Sequence, residues 1–596
     1  MTTEIIIVLA ILGITVAMLV LDRIRIDIVA IGCMLALGWT GILDSQEMFS
    51  GFSSNAVIAM LSVMILGEGI ARTGIMDKFS KFVIKKAGTS KRKLIALMSL
   101  SVGTLSGLIQ NIGAVALFLP GVLQISRRAK IPASALIMPI AFAAILGGTL
   151  TMVGSGHLIL VNDLLINDGF DAYNLLSVTP IGVILLVIGV VYFLIFGDKV
   201  LPQREAQDGK KSEQEKLIEK LSLPNTIKFF KIISGSSFIG KTIDEVGLEK
   251  KHKVNLLGLG KKGDVIYSPW RETELKEDQV IAVLSSDENI KEFEKSCDLE
   301  AVSAPKYFAD DFNNDNSGFA EVIVPPNSEL VGKCIREYQF RKQFAVQPVI
   351  LFHNGNRIEG DFSDIEIAPG DSIIIYGRWR EIANLKGTKD FVVLTNIKDN
   401  NKDTSKTLPA IACFVFAIIM AMTGFSISMA FLTGAIGLVL TRVITISEAY
   451  KAIQWKVVFL LAGLIPLGTA MQKTGTAEFL AENIMRLVID LHPIFIILMV
   501  GVISTLFSLF MTNVGAVVVL APLVIGMAGI ADMDPRPLVL MAAVCAGNSF
   551  ILPTHQVNAF LMSSGGYRNA DYIRAGSGMT LLFLTVTVLF FYFFVI

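Results

Sequence analysis

Cysteine is scarce. The 596 residues contain five (Cys33, Cys297, Cys334, Cys413 and Cys545), scattered, with no Cys-x-x-Cys pair and no metal-ligand spacing. That pattern excludes a disulfide scaffold or a zinc-type fold, and the thiols read as small packing residues. Histidine is equally sparse, also five. No Gly-x-Ser-x-Gly elbow, His-Glu-x-x-His or Walker A sequence occurs, so hydrolytic and P-loop chemistry have no footing and no enzyme is expected. Net charge is absent as well, with 52 basic residues against 52 acidic. It therefore says nothing about partners, and nucleic acid is not expected among them.

What the chain has in excess is apolar length. It is 53% hydrophobic with a mean hydropathy of +0.62, too apolar for an ordinary soluble protein. Residues 1–200 and 407–596 are strings of apolar segments of about 17–22 residues, the length that crosses ~30 Å of hydrocarbon. The first, Ile5 to Leu21, has neither a basic leader nor a cleavage-like site and reads as a retained helix. Charge collects between Lys199 and Lys406, and there Val280-Ile281-Ala282-Val283-Leu284 and Ser372-Ile373-Ile374-Ile375-Tyr376 read as strands. Residues 201–406 are therefore expected to be soluble.

Two internal duplications organise the chain. Gln110-Asn111-Ile112-Gly113-Ala114-Val115 recurs about four hundred residues later as Thr512-Asn513-Val514-Gly515-Ala516-Val517. The match extends outward: Thr73-Gly74 answers Thr474-Gly475, Ser106 answers Ser508, and Pro120 answers Pro522. In the soluble block, Ser236-Ser237-Phe238-Ile239-Gly240-Lys241-Thr242 matches Ser328-Glu329-Leu330-Val331-Gly332-Lys333-Cys334. Four parts follow: transmembrane repeats over 1–200 and 407–596, and two small α/β modules over 222–300 and 317–395. Asp310 to Asn316 reads as a solvated linker between the modules.

Basic residues set the orientation through their preference for the cytosolic side. Spans 5–21 and 27–43 flank Arg23 and Arg25, and span 55–71 leads to Lys78, Lys81, Lys85 and Lys86. The stretch 94–125 then begins after Lys91-Arg92-Lys93 and ends at Arg127 and Arg128. Both its ends are cytosolic, which predicts a re-entrant hairpin with Asn111 at its tip. A run from 132 to 165 is broken near 147–156, and span 178–197 returns to Lys199. The second half (spans 407–422, 427–443 and 456–471, a hairpin over 493–530, a broken helix over 537–565 and a last span over 577–596) reads as the same order upside down. The expected fold class is a polytopic α-helical membrane protein of two inverted repeats, with both termini outside the plasma membrane and 201–406 in the cytosol.

Non-helical backbone at membrane depth is tolerated only where protein or a wet cavity satisfies it. Each Asn-x-Gly-Ala-Val turn is thus expected to face a cavity, with helix starts that favour an anion and amide oxygens that suit a hard cation. Matched polar breaks in duplicated membrane halves read as the midplane site of a secondary transporter. The breaks hold Gly154, Ser155 and His157 in one half, and Asn548, Thr554, His555 and Asn558 in the other. The substrate-binding set is Asn111, Gly113, Ser155, His157, Thr512, Asn513, Gly515, Thr554, His555 and Asn558. Asn111, Gly154, Asn513 and Asn548 form the expected cation set. Glu68, His157 and His555 are the groups suited to carry a coupling proton. Arg72 aligns with Lys473, which gives both a structural, interfacial reading.

The hairpin tips resemble the Ser-Asn-Thr motifs of the divalent anion:sodium symporter (DASS) family of the ion transporter superfamily. Leu552-Pro553-Thr554-His555-Gln556-Val557-Asn558, followed by Gly565-Gly566-Tyr567-Arg568, looks like its sulfate-permease-like members. The soluble modules resemble the C-terminal domains of Trk potassium-uptake regulators (RCK-C or TrkA-C), which such members carry in pairs. The resemblance implies an elevator carrier, usually a homodimer in lipid, moving sulfate, a dicarboxylate or a sulfonate. It also implies sodium and substrate at Asn111 and Asn513, Thr512 in the Ser position of the second motif, and a small nucleotide such as cyclic-di-AMP at the modules. The first motif departs: Gln110 stands for Ser, Ile112 for Thr, and Val514 for the second Thr. Those lost hydroxyls weaken the case for sodium and raise that for protons. The competing readings are a cation/proton antiporter of the same superfamily, a transporter-shaped sensor, and an RCK-gated channel; a filter-like Thr-Val-Gly-Tyr-Gly ladder is missing for the last.

Overall fold

The computed structural model describes residues 2–21, 23–74, 79, 82–83, 86, 88, 90–129, 131–202, 213–261, 264–309, 311–312, 316–386, 388–395, 404–488 and 490–595. Part of the Asp310–Asn316 linker, and Lys78, Lys81 and Lys85 of the basic cluster, lie outside the described residues. The chain forms two compact units, 1–209 with 402–596, and 210–401.

The first unit is helical. Its first half contains α1 (Thr3–Leu21), α2 (Ile26–Trp39), α3 (Ser45–Phe49), α4 (Asn55–Arg72), α5 (Lys91–Ser106), α6 (Asn111–Ala129), α7 (Ser134–Gly147), α8 (Gly156–Asn167) and α9 (Thr179–Val200). Its second half contains α10 (Thr407–Met422), α11 (Ile427–Leu440), α12 (Ile446–Ala452), α13 (Trp455–Lys473), α14 (Thr476–Met485), α15 (Pro493–Phe510), α16 (Asn513–Ile530), α17 (Pro535–Ala546), α18 (Gln556–Ser564) and α19 (Asn569–Phe594). Seven helices among the described residues are long and apolar enough to cross a membrane. Helix starts are written in the sequence. Pro493 and Pro535 open α15 and α17, where proline's missing N–H costs nothing, and Thr512 caps α16 by accepting from the Gly515 amide.

Some expected boundaries move. The 27–43 span is helical only over Ile26–Trp39, because Thr40 and Gly41, the latter at φ +72°, turn the chain. The final span begins at Asn569 rather than 577, carrying Arg574 on its first turns. Short α3 and α12, absent from the expected order, are both nucleated by reciprocal caps, Asp44 with Glu47 and Thr445 with Glu448.

The halves interlock. Helix α2 packs on α13 of the other half, and α11 packs on α4. Two ion pairs close this exchange at corresponding positions. Arg72, at the end of α4, meets Glu448 of α12 at 2.5 Å, and Lys473, at the end of α13, meets Glu47 of α3 at 2.6 Å. The interfacial reading of Arg72 and Lys473 thus acquires named partners.

The second unit contains two sheets of one design. Strands β1 (Thr226–Ile232), β2 (Asn255–Lys261), β3 (Asp264–Tyr267), β4 (Val280–Ser285) and β5 (Leu299–Val302) run in the order β3-β2-β4-β1-β5. Strands β6 (Ser317–Ile323), β7 (Gln347–His353), β8 (Asn356–Glu359), β9 (Ser372–Arg378) and β10 (Val392–Val393) run β10-β6-β9-β7-β8, the same order read from the other edge. Register shifts fall at Leu256/Gly258 and Pro348/Ile350, and isolated bridges join Thr242 to Glu274 and Cys334 to Glu366. Strand β4 is buried throughout because its alternate residues feed two cores. Ile281 and Val283 face its own module's core, whereas Val280, Ala282 and Leu284 meet Phe319, Ile374 and Tyr376 of the second sheet. Burial holds the Tyr267 hydroxyl up at about 12, and its hydrogen bond to Asp311 acts in the same direction, so it remains a neutral donor.

Candidate functional site

Each half of the helical unit contains a helix pair meeting at an Asn, then a helix interrupted by glycine. In the first half α5 ends at Ser106 and α6 starts at Asn111. The Ser106 hydroxyl lies 2.7 Å from both Asn111 Oδ1 and the Ala144 carbonyl of α7. Between α7 and α8, Thr151 donates to the Gly107 carbonyl at 2.5 Å and accepts from the Gly154 amide at 3.2 Å. Gly148 leaves these side chains their room: a Cβ would fall 2.4 Å from Ser155 Oγ and 2.8 Å from Asn111 Oδ1, and both would have to shift. Asn111, Gly154 and Ser155 are therefore gathered around one turn, and Gly113 is exposed on the first turn of α6.

The second half builds a richer version. Ser549 Oγ donates to Asn513 Oδ1 at 3.1 Å and lies 2.6 Å from Ser508 Oγ. Asn548 Nδ2 donates to Thr505 Oγ1 and to the Thr580 carbonyl, both at 3.3 Å, while Asn558 Nδ2 donates to the Ser549 carbonyl at 3.0 Å. Tyr572 completes the support by donating to the Asn558 carbonyl at 2.9 Å. Among the described residues, Asn548 Oδ1, Asn558 Oδ1, Thr580 Oγ1 and His157 Nε2 are buried without a hydrogen-bond partner. Buried polar atoms rarely go unpaired without a reason.

Helices of the two halves also pack on one another here. Helix α8, opening at Gly156, packs on α16, which opens at Asn513; α18, opening at Gln556, packs on α6, which opens at Asn111. His157 crosses between the halves: a Cβ on Gly547 would lie 3.6 Å from its Nε2, and it is within electrostatic range of His555. His555 caps α18, its Nδ1 accepting from the Val557 amide at 3.2 Å. Thr554 is exposed beside it. Glu68 stands apart, bonded to Arg72 at 2.9 Å near the Glu448 pair, and it joins neither cluster. Gln110 also turns away from Asn111, accepting from Gln454 at 3.0 Å. Sequence reasoning missed Thr505 and Tyr572 as site components, and it placed Thr151 and Ser549 in the breaks without giving either a role. The matched Ser-x-x-x-x-Asn spacing at Ser106/Asn111 and Ser508/Asn513 was a usable signal for the two serines.

In the second unit a cavity of about 390 Å³ lies between the modules. It is lined by pairs at equivalent positions: Arg271 with Asp244 at 2.5 Å, Arg336 with Asp364 at 2.6 Å, and Arg341 with Glu249 across the module boundary.

A family model described as "Citrate transporter" (CitMHS) matches residues 16–545. The uncharacterized transporter YfbS of Escherichia coli is 29% identical over 99% of this chain and 98% of its own. An uncharacterized transporter of Synechocystis, sll0640, is 27% identical over 98% of this chain and 95% of its own. Sodium/sulfate cotransporter 2 of Chlamydomonas reinhardtii is 22% identical over 62% of this chain and 44% of that protein. Among solved structures, the GsuK RCK domain aligns with 27% of this chain and 63% of its own, at 11% identity and a TM-score of 0.15, too low to support a fold argument.

Proposed function

The chain belongs to the citrate transporter (CitMHS) family of the ion transporter superfamily, and we propose that it is a cation-coupled secondary carrier of a small anion, working by an elevator movement. It is a multi-pass membrane transporter rather than an enzyme, as its family and the two long matches are. The observation that carries the anion reading is the pair of Asn-headed helix starts, α6 and α16, each packed against the half-helix that follows the other half's break. Helix starts present unpaired N–H groups and a positive dipole end, which suit sulfate, dicarboxylate or sulfonate alike. The name of the Chlamydomonas relative favours sulfate within that class.

The recurrence of helix pair, broken helix and long helix in both halves supports two inverted repeats with re-entrant hairpins. In this reading α5–α9 and α15–α19 make the moving body, and α2, α4, α11 and α13 belong to the scaffold of a homodimer in the plasma membrane. Residues 201–406 face the cytosol, and both termini lie outside. Asn111, Gly113, Ser155, His157, Thr512, Asn513, Gly515, Thr554, His555 and Asn558 bind the anion. Asn111, Gly154, Asn513 and Asn548 are the cation set.

Uptake of labelled sulfate, dicarboxylates and sulfonates into proteoliposomes, with and without sodium and a pH gradient, tests the proposal. No uptake of any of these anions overturns it. Sodium activation is expected to be shallow, because Ile112 and Val514 offer no oxygen where the resemblance expects hydroxyls, and hard cations need several. Steep sodium activation at fixed pH would overturn this expectation.

Residues 222–300 and 317–395 act, in this reading, as regulatory or dimer-organising modules, with the cavity between them sized for a small ligand such as a nucleotide. A ligand there alters transport only through its differential affinity for the carrier's states. Deleting 222–395 and rejoining the halves is expected to change the uptake rate and leave the apparent substrate affinity in place. Lost affinity in a folded dimer would mean that the modules build the anion site.

A further inference from the structure

Asp163 takes part in neither polar cluster. It lies in the interior of α8 and is buried, and its Oδ2 accepts the Ala56 backbone N–H at 2.6 Å, in the first turn of α4. The Ser54 and Asn55 side chains are also within hydrogen-bonding reach. All three partners are uncharged. A buried carboxylate is costly unless something compensates it. Here the compensation comes from the free N–H groups and positive dipole end of α4.

The elements packed most extensively against α8 among the described residues are α4, α16 and α17. Helix α4 carries Glu68 and Arg72 at its far end, bonded to each other. Helix α16 has no titratable side chain. Helix α17 has Cys545 and Arg536, whose guanidinium lies 5.1 Å over the Tyr173 ring. On α8 itself His157 sits in the first turn, and Asp168, just past the end, accepts from Gln472 at 2.6 Å. Both cations on these elements thus have other contacts.

We propose that Asp163 is a proton-linked latch between α8 and α4. As a carboxylate it holds α8 against the start of α4; on taking up one proton it becomes a neutral acid and releases that contact. An O–H bond forms at the carboxyl group, the Ala56 hydrogen bond is given up, and no other bond changes. The neutral acid is a weaker acceptor and no longer interacts as a charge with the helix dipole. The proposal rests on the carrier reading above, in which α8 moves and α4 does not. Asp163 is then a positioning residue for transport, distinct from Glu68, His157 and His555.

Amide hydrogen exchange of residues 55–58 in the full-length protein in nanodiscs tests it. At neutral pH Asp163→Asn is expected to exchange about 3- to 10-fold faster than wild type there, the size of a lost charge–dipole contact, and Asp163→Glu to restore most of the protection. After correction for intrinsic exchange, wild-type protection is expected to fall on acidification toward the Asp163→Asn value, while Asp163→Asn stays level. Equal protection in the two proteins, or an equal acid response, overturns the latch. If Asp163→Asn does not fold, wild type decides: corrected protection that does not change with pH overturns the proposal. Uptake of labelled sulfate, dicarboxylates and sulfonates by the same proteins separates the two ideas. A wild type that moves no anion defeats the carrier reading while exchange still judges the latch.

Discussion

Replacing Asn513 with alanine is expected to lower anion uptake by about 100-fold or more and to leave a folded protein. Asn513 heads α16, and its Oδ1 is where the break delivers the Ser549 hydroxyl, at 3.1 Å. Ser508, 3.5 Å from the same oxygen, is only a long contact; its short bond is to Ser549. In the proposed carrier the amide's remaining capacity is available to a bound ion. Two lost ligand contacts of about 1.4 kcal/mol each make a hundredfold. The helix start survives because Thr512, not Asn513, accepts from the Gly515 amide. Uptake measured beside a thermal melt separates the effects. Near-normal uptake in a folded Asn513→Ala protein would remove this tip from the site. Asn111→Ala is expected to behave alike, with Ser106 losing one of its two acceptors.

Gly576→Ala is expected to be among the most damaging small substitutions, destabilising by about 3 kcal/mol or more, at the upper end for an overpacked core. Gly576 lies on α19 where that helix crosses the break of its own half. An added Cβ would stand 2.1 Å from the Phe550 carbonyl oxygen and 2.4 Å from its carbon. Backbone atoms cannot swing aside as a side-chain end can. Gly182 of α9 occupies the corresponding place, 2.2 Å from the Thr149 carbonyl oxygen, and Gly182→Ala is expected to fail similarly. Gly529→Ala, near the end of α16 with nothing within 4 Å, is the control. Thermal melts in detergent check this, and a Gly576→Ala protein melting with the control would show that the long helix does not clamp the break.

Much of the helical order is legible because bilayer length and punctuation coincide. The 493–530 pair has proline at one entrance and Thr512 at its turn, and α10 runs over Thr407–Met422, the apolar segment read from sequence. The breaks are legible as glycine with polar residues inside apolar runs. Partner choice is not. Hydrophobic pattern tells that α8 is buried and gives no sign that it packs on α16 and α4. Short α3 and α12 escaped notice because five to seven residues held by caps have no apolar period to read. The partners of Ser549, a residue of the second break, escaped notice for a related reason: Asn513 and Ser508 are about forty residues away, and no local pattern encodes that meeting.

The interlocking of α2 with α13, and of α11 with α4, has a consequence for synthesis. Helix α2 is complete at Trp39, whereas its partner begins at Trp455, so more than four hundred residues must be made before the contact can form. At about 5–20 residues per second that is a wait of roughly 20–80 s. Over that interval Lys473 does not yet exist to meet Glu47, and Glu448 is not yet there for Arg72. The nascent first half must sit in lipid with one face uncovered while the intervening sheets emerge and can complete their own folding. Assembly of the membrane unit is in this sense a closing step, timed by the arrival of the second half at the ribosome exit.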